Sequence, residues 1–422
     1  MFVMEKVDFI QQKKMSITVL NDDCLHKCFE SLEIDDCMNV AEVCKRFAGV
    51  MQPIFRKKFS LLSLKMKDQY DKDFIDRVLY HISDHLKSLA IGSEGKSAHL
   101  LARSTSNENL KSLILRHWKL SPTTFSSELT NFQHIKSMSS NQCNLRLNRD
   151  FFTSFRNIEI ANFRYCRGVH NKSITKFFET NDKIKSVTIH CLGFHGFPLG
   201  SLALLPRLEQ VNFLGLVASP EYLIQLSQIR SLKRLKLSTR HLNSSYVMGP
   251  LLLHLDWIEG LEIKGFRIDE NVFASLQKMH SLKLFGLTFP SIFFWKWKPA
   301  FTLPSTITDL KLESVHISAK QIASIICELP KLQKFHVNAH PQSIIDNNNV
   351  KIDDFETIVN LIFDALDIDA SKRYVKVTLI NAKYSSEELR LGSLQFFGIH
   401  PSKSCFGIDF PDFNRLLCPV SN

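Results

Sequence analysis

Two clusters in this 422-residue chain have ligand chemistry at a suggestive spacing. Cys24 and Cys28 lie one helical turn apart, and His190, Cys191 and His195 lie close together. Thiolate and imidazole are the usual ligands of zinc, but a closed site needs four. Neither cluster has the rest at useful spacing. The plainer readings are small fillers of a helical face and an ordinary turn, so no metal or other cofactor is expected. A third cluster, Phe293-Phe294-Trp295-Lys296-Trp297-Lys298, mixes aromatics with cations. Such a run could stack on bases or rest at a membrane interface. It could equally form a protein-contact loop, or pack its rings inward and leave its lysines wet. The glycine-rich, nucleophile-elbow and HExxH motifs of common enzymes are missing. No catalytic residue is assigned, and the chain is expected not to be an enzyme.

The formal charge is +11, yet residues 1–60 hold nine basic and nine acidic side chains, so the excess lies beyond them. A basic surface attracts phosphates, acidic peptides or anionic headgroups, and it also keeps a large protein soluble. Ten scattered cysteines without a CxxC pair suggest reduced thiols, hence a cytoplasmic or nuclear protein. No apolar run reaches the ~20 residues needed to span a bilayer, and the first residues do not read as a secretory signal.

These side chains need elements to hold them. Leu25, Cys28, Phe29 and Leu32 have the i, i+3, i+4, i+7 spacing of one helical face. Asn21, Asp22 and Asp23 suit a helix start. Glu33–Asp36 interrupts the pattern, and Cys37, Val40, Ala41, Cys44, Phe47 and Ala48 form a second face, with Pro53 limiting any helix beyond. Helices this short need a partner to bury both faces.

This stretch resembles the F-box. Leu20, Asp22, Asp23, Leu25, Phe29 and Leu32 match the family's first helix, and Val43-Cys44-Lys45-Arg46-Phe47 matches its closing run, in register and without a gap. Asn21 stands for the usual Pro, Phe47 for the usual Trp, and Glu42 is polar where the family is apolar. The resemblance implies docking on the small adaptor of an SCF-type cullin–RING ubiquitin ligase, and through it on a cullin. Leu20, Leu25, Phe29, Leu32 and Val43 are the expected contacts.

Downstream, a triplet apolar at positions 1, 4 and 6 recurs. Copies begin at Phe59, Leu86, Leu110, Phe132 (weak), Phe155, Ile184, Leu208, Leu232, Ile258, Met279, Ile307 and Leu332, at steps of 21 to 29 residues. Each reads as one short strand, with helices expected between strands at Glu221–Ile229, Glu270–Met279 and Lys320–Leu329. The array resembles leucine-rich repeats. That implies an α/β solenoid, an arc or horseshoe with a concave parallel sheet and convex helices. The family's Asn or Cys at the turn is apolar here in this register (Trp118, Phe163, Leu192, Phe266). The expected organisation is an F-box-like segment at 16–58, repeats at 59–337, and an atypical end at 338–422. That end comprises a loop at Ala339–Lys351, a helix at Asp353–Ala365, strands near Val377 and Leu394, and a cap.

Between the triplet positions, Lys185, Lys233, Arg234, Lys236, Lys283 and Lys311 are expected on the concave face, with Lys87, Lys111, Arg156 and Lys334 beside them. Five acidic residues oppose these ten. The face reads as a substrate site for an acidic or phosphorylated protein segment, or as an ordinary solvated sheet. Together the resemblances imply a non-catalytic substrate receptor of an SCF-type ligase. The alternatives are a repeat scaffold outside any ligase and, more distantly, a nucleic-acid-associated protein.

Overall fold

A computed structural model describes residues 17–64, 72–92, 107–118, 132–144, 151–167, 171–190, 199–215, 223–239, 245–266, 268–289, 295–296, 301–339, 362, 375–380, 388–391 and 394–399. The chain divides into two compact units, 1–114 and 115–422.

The first unit opens with α1 (Asp22–Phe29), α2 (Ile34–Val43) and α3 (Lys45–Lys58), then β1 (Leu61–Leu64), α4 (Lys72–Ile82), β2 (Ser88–Gly92) and the start of β3 (Ser112–Arg116). Asn21 caps α1, its Oδ1 accepting from the Cys24 N–H at 2.9 Å. The second apolar face, over Cys37–Ala48, is carried by two helices. Cys44 is extended (φ −164°, ψ 164°) between α2 and α3, and its Sγ accepts from the Phe47 N–H at 3.5 Å. Pro53, expected to limit this helix, lies inside α3. Proline costs a helix one hydrogen bond and crowds the carbonyl four residues back. That residue is Gly49, exposed and with open space where a side chain would stand, so the released carbonyl can tilt towards water.

In the second unit one strand follows another. They are β4 (Ser137–Asn141), β5 (Ile160–Arg164), β6 (Ser186–His190), β7 (Gln210–Leu214), β8 (Arg234–Ser238), β9 (Gly260–Lys264) and β10 (Leu284–Thr288). Next come β11 (Trp295–Lys296), β12 (Asp309–His316), β13 (Lys334–Ala339), β14 (Val375–Ile380), β15 (Glu388–Leu391) and β16 (Leu394–Ile399). Pairing is parallel in chain order. The exceptions are β11, a short flank on β12, and β15, antiparallel to β16. Between strands lie α5 (Asn171–Glu179), α6 (Ser245–Leu253), α7 (Glu270–Leu276), α8 (Ala319–Glu328) and 3-10 turns, including Gln225–Gln228 inside the helix expected at Glu221–Ile229. This is an α/β repeat solenoid. The helix expected at Asp353–Ala365 and the loop at Ala339–Lys351 lie almost wholly outside the described residues.

One hydrogen-bond pattern recurs at most strand entries among the described residues. There the carbonyl of the residue before the strand accepts two N–H groups from the next repeat. Glu159 O takes Lys185 and Ser186, Lys185 O takes Glu209 and Gln210, Glu209 O takes Lys233 and Arg234, and Lys233 O takes Glu259 and Gly260, all at 2.8–3.2 Å. A carbonyl has two lone pairs, so each fork is fully used. The fork fixes register, and register fixes which side chains face the helices.

That register corrects three of the triplets. Val187 lies opposite Val211, Val211 opposite Leu235, Leu235 opposite Leu261, Leu261 opposite Phe285 and Phe285 opposite Leu310. The inward pair of β10 is therefore Phe285 and Leu287, and that of β5 is Ala161 and Phe163. Leu284 and Ile160, expected inside, start their strands half-exposed. The repeats begin at Ile135, Ile158 and Leu282, three residues after Phe132, Phe155 and Met279. The steps from Leu86 to Leu332 then tighten to 23–26 residues. The slip has a physical cause. Three residues before most first positions stands a residue whose carbonyl accepts the first-position N–H; at Ile158 that N–H goes to Asn181 Oδ1 instead, with buried Phe155 still in the turn position. Phe132 O serves Ile135, Leu205 O serves Leu208, and Met279 O serves Leu282, at 3.1–3.2 Å. This turn position copies the template's own 1-to-4 spacing.

Aromatic packing joins the sheet to its helices. Phe163 from β5, Phe177 from α5 and Phe152 meet edge to face at 5.6–5.9 Å. Two residues past the inward pair, the backbone turns left-handed at Tyr165, Gly215, Gly265 and Ser314. At Gly265 (φ 78°) an added Cβ would stand 2.2 Å from the Thr239 carbonyl oxygen. Left-handed backbone costs a non-glycine residue about 1–2 kcal/mol before any clash. Gly265→Ala should therefore lower unfolding stability by more than ~2 kcal/mol in a urea titration.

Candidate functional site

Two surfaces are candidates. The first is the F-box-like segment, whose two halves bind each other. Arg46, from the closing run, donates to Asp22 Oδ1 at 2.8 Å, Thr18 O at 2.7 Å and Leu20 O at 2.5 Å. The Phe29 and Phe47 rings meet edge to face at 5.2 Å. Lys58 donates to Glu30 O and Leu32 O at 2.7 and 2.8 Å, closing the C-terminal end of α1.

This packing divides the expected adaptor contacts. Leu25 and Phe29 are buried in the core of the unit with Met38, Phe47, Met51 and Phe55. A side chain with no free surface cannot bury more against a partner, so these two shape the surface without forming it. Leu20 and Leu32 are half-buried, and Val43 is 66% exposed. Ile17 and Val19, which the sequence did not single out, are also exposed, Val19 at 72%. The contacts of Arg46 bring the Thr18–Asp22 stretch against the junction that follows Val43. Glu42, apolar in the F-box family, is engaged within the chain. It accepts two bonds from Arg77 of α4 at 2.9 Å and lies 3.3 Å from His81.

The second surface is the open face of the sheet. Lys185, Lys233 and Lys283 stand just before their strands and pair with Glu159, Glu209 and Glu259 at 3.0–3.1 Å, with Lys136 on Glu159 at 2.9 Å. Cations and anions thus alternate along one ladder, and the flanking lysines hold the Glu159 carboxyl below its ordinary pKa. Lys236 pairs with buried Glu262 at 2.9 Å, Lys311 with Glu313 at 2.9 Å, and Lys334 with Asp309 at 3.3 Å. Arg234 is half-buried at the start of β8, and Arg156 precedes β5 instead of lying on it. Six of the ten cations expected on this face thus pair with acids of the same chain, and the exposed pairs among them contribute only about 0.2–1 kcal/mol each.

What the sequence reading missed lies between these charges. In the observed register the outward positions of β5, β6 and β7 are Asn162, Thr188 and Asn212, directly opposite one another, with Ser186 opposite Gln210 one pleat earlier. All five are uncharged and 0–5% exposed. Beside them the Tyr165 and His190 rings meet at a tilt of 35°, centroids 3.9 Å apart.

The register also revises the turn. The family position for Asn or Cys is filled by Cys143 and Cys166, not by Phe163. Cys143 Sγ donates to Leu115 O at 3.5 Å and Cys166 Sγ to Ser140 O at 3.2 Å, each reaching the same place in the preceding repeat. The neighbouring Cys143, and after it burial, push the Cys166 thiol up, keeping it a donor.

No family model matches the sequence, and no curated protein does. Solved structures with a related course of chain include TLR13 in complex with ssRNA13, at 15% identity and a TM-score of 0.40. That alignment covers 62% of this chain and 43% of the TLR13 chain. An internalin (inlF) of Listeria monocytogenes aligns at 12% identity and a TM-score of 0.41, over 79% of this chain and 93% of its own. Internalin C2 of the same organism aligns at 12% identity and 0.28, over 55% and 82%.

Among the described residues no cluster of His, Cys, Asp or Glu could hold a metal, and no helix is long and apolar enough to cross a membrane. Of the Phe293–Lys298 run only Trp295 and Lys296 are described, as β11 beside β12.

His336, on the outward side of β13, is pushed down to about 4 by burial and then by Lys311. Between its ordinary value of 6.5 and about 4, the unfolded chain takes up a proton that the folded chain refuses. Stability should therefore fall as pH drops through that window. His336→Gln should flatten this segment of a melting-temperature-versus-pH curve.

Proposed function

We propose that this chain is a non-catalytic receptor subunit of an SCF-type ubiquitin ligase. Its F-box-like unit docks on the ligase adaptor and its repeats hold a substrate protein, so that proximity does the work. The observation that carries the reading is Arg46. It joins the two halves of the motif, as a motif acting as one folded unit requires, and Val43 and Val19 remain exposed for a partner. The apolar contact expected of an F-box then falls to Ile17, Val19, Leu20, Leu32 and Val43, with Leu25 and Phe29 beneath as support. The second reading, a scaffold outside any ligase with the helices as an N-terminal cap, draws on Glu42, which ties α2 to α4 within the chain.

Co-purification with the ligase adaptor tests the choice. Val19→Asp combined with Val43→Asp changes exposed positions, so circular dichroism should stay unchanged while adaptor recovery falls tenfold or more. Full recovery by the double variant, or no adaptor bound by the native chain, favours the cap.

A further inference from the structure

Polar side chains fasten α4 to the F-box-like helices. Arg77 donates to both carboxylate oxygens of Glu42 and to Asn39 Oδ1, each at 2.9 Å. His81 Nε2 lies 3.3 Å from Glu42 Oε1, and its ring stands 6.0 Å from that of Phe55 in α3. His85 and Gln52 of α3 share a hydrogen bond of 2.9 Å. The Arg77 and Glu42 side chains are 40% and 43% exposed, and exposed ion pairs add little stability. A two-pronged guanidinium–carboxylate pair does fix geometry. The cluster therefore orients α4 on α2 more than it stabilises the unit.

That orientation decides where Tyr80 points. Val78 and Ile82 are buried. At 3.6 residues per turn, Tyr80 lies about 160° round the helix from each of them. It is 82% exposed, the most exposed large apolar side chain among the described residues. Its ring meets the His81 ring edge to face at 5.0 Å. Val43 is exposed as well. Both are one residue away from the polar cluster, since Val43 follows Glu42 and Tyr80 precedes His81. Exposed apolar side chains scattered singly need no explanation. These are not scattered. Ile17, Val19, Val43 and Tyr80 all belong to the first unit, whereas Tyr165, Leu204 and Leu253 belong to three different repeats. Tyrosine is also enriched where proteins bind one another, because it buries a large ring and keeps a hydroxyl for the wet edge.

We propose that the adaptor-docking surface continues from Val43 onto α4, with Tyr80 as a further contact and the Glu42–Arg77 pair as the brace that sets it. The occupant is the ligase adaptor, so this inference rests on the ligase reading. Continuity supports it, because Val43 already belongs to that surface and the brace is built on the residue beside it. Glu42 thereby gains a use. Polar where the F-box family is apolar, it gives up a direct apolar contact and holds the helix that supplies an aromatic one.

The test measures the affinity of the purified adaptor for the full chain. Tyr80→Ser should weaken binding tenfold or more, with circular dichroism and melting temperature unchanged because the ring is exposed. Glu42→Leu separates the brace from the motif. It restores the apolar residue of the family, so direct contact at that position would keep or tighten binding, whereas release of α4 should weaken it. In the Glu42→Leu background, Tyr80→Ser should cost less than in the native chain. Native affinity in Tyr80→Ser would overturn the inference and leave the ligase reading standing. A lower melting temperature of Tyr80→Ser would show the ring packed within the chain and would overturn it too. So would unchanged or tighter binding by Glu42→Leu. Self-association of the native chain that Tyr80→Ser abolishes would assign the ring to a second copy instead. A native chain that binds no adaptor would refute the ligase reading, and this inference with it.

Discussion

The forked carbonyl at the strand entries is the interaction on which the rest of the second unit depends. Lys185 O accepts from both Glu209 and Gln210, and the same arrangement recurs from repeat to repeat. Two bonds to one acceptor leave no freedom to slide a strand by one residue, a slip that would turn every side chain over. With register held, Val187, Val211, Leu235 and Leu261 line up against the helices and Thr188, Asn212 and Lys236 line up away from them. The residues that supply the forks also supply the Lys–Glu ladder, so one position per repeat sets both strand alignment and the charge balance of the exposed edge.

Much of this was legible in the residues. The alternation of apolar and polar positions marked a strand in each repeat, and Ser318 before Ala319–Glu328 and Asp269 before Glu270–Leu276 mark helices that the periodicity also found. Where the reading slipped, at Phe132, Phe155 and Met279, a buried turn residue imitated the first strand position. The uneven steps were the visible symptom. The cost was large for the site. In the slipped register Asn162 has no strand partner and Cys143 and Cys166 have no role. Ion pairing was not legible, because the Lys–Glu partners are 24 to 26 residues apart and meet only through the sheet.

The N-terminal unit shows the same limit in another form. Helical periodicity identified Leu25 and Phe29 as apolar and in register, and both are. Periodicity does not say whether an apolar face meets its own chain or another protein. Here α3 returns over α1, through Phe47 on Phe29 and Lys58 on the Glu30 and Leu32 carbonyls just past α1, and takes up those side chains. What is left for a partner is a rim, where Val19 and Val43 are exposed.

The central claim is the register itself, and β10 is where the two registers disagree most sharply. Unfolding free energies of Phe285→Ala and Leu284→Ala, measured by urea titration, decide between them. The fork-defined register puts Phe285 against the helices, so its truncation should cost about 3–5 kcal/mol, while Leu284→Ala should cost about 1 kcal/mol or less. A larger loss at Leu284 than at Phe285 would contradict the register.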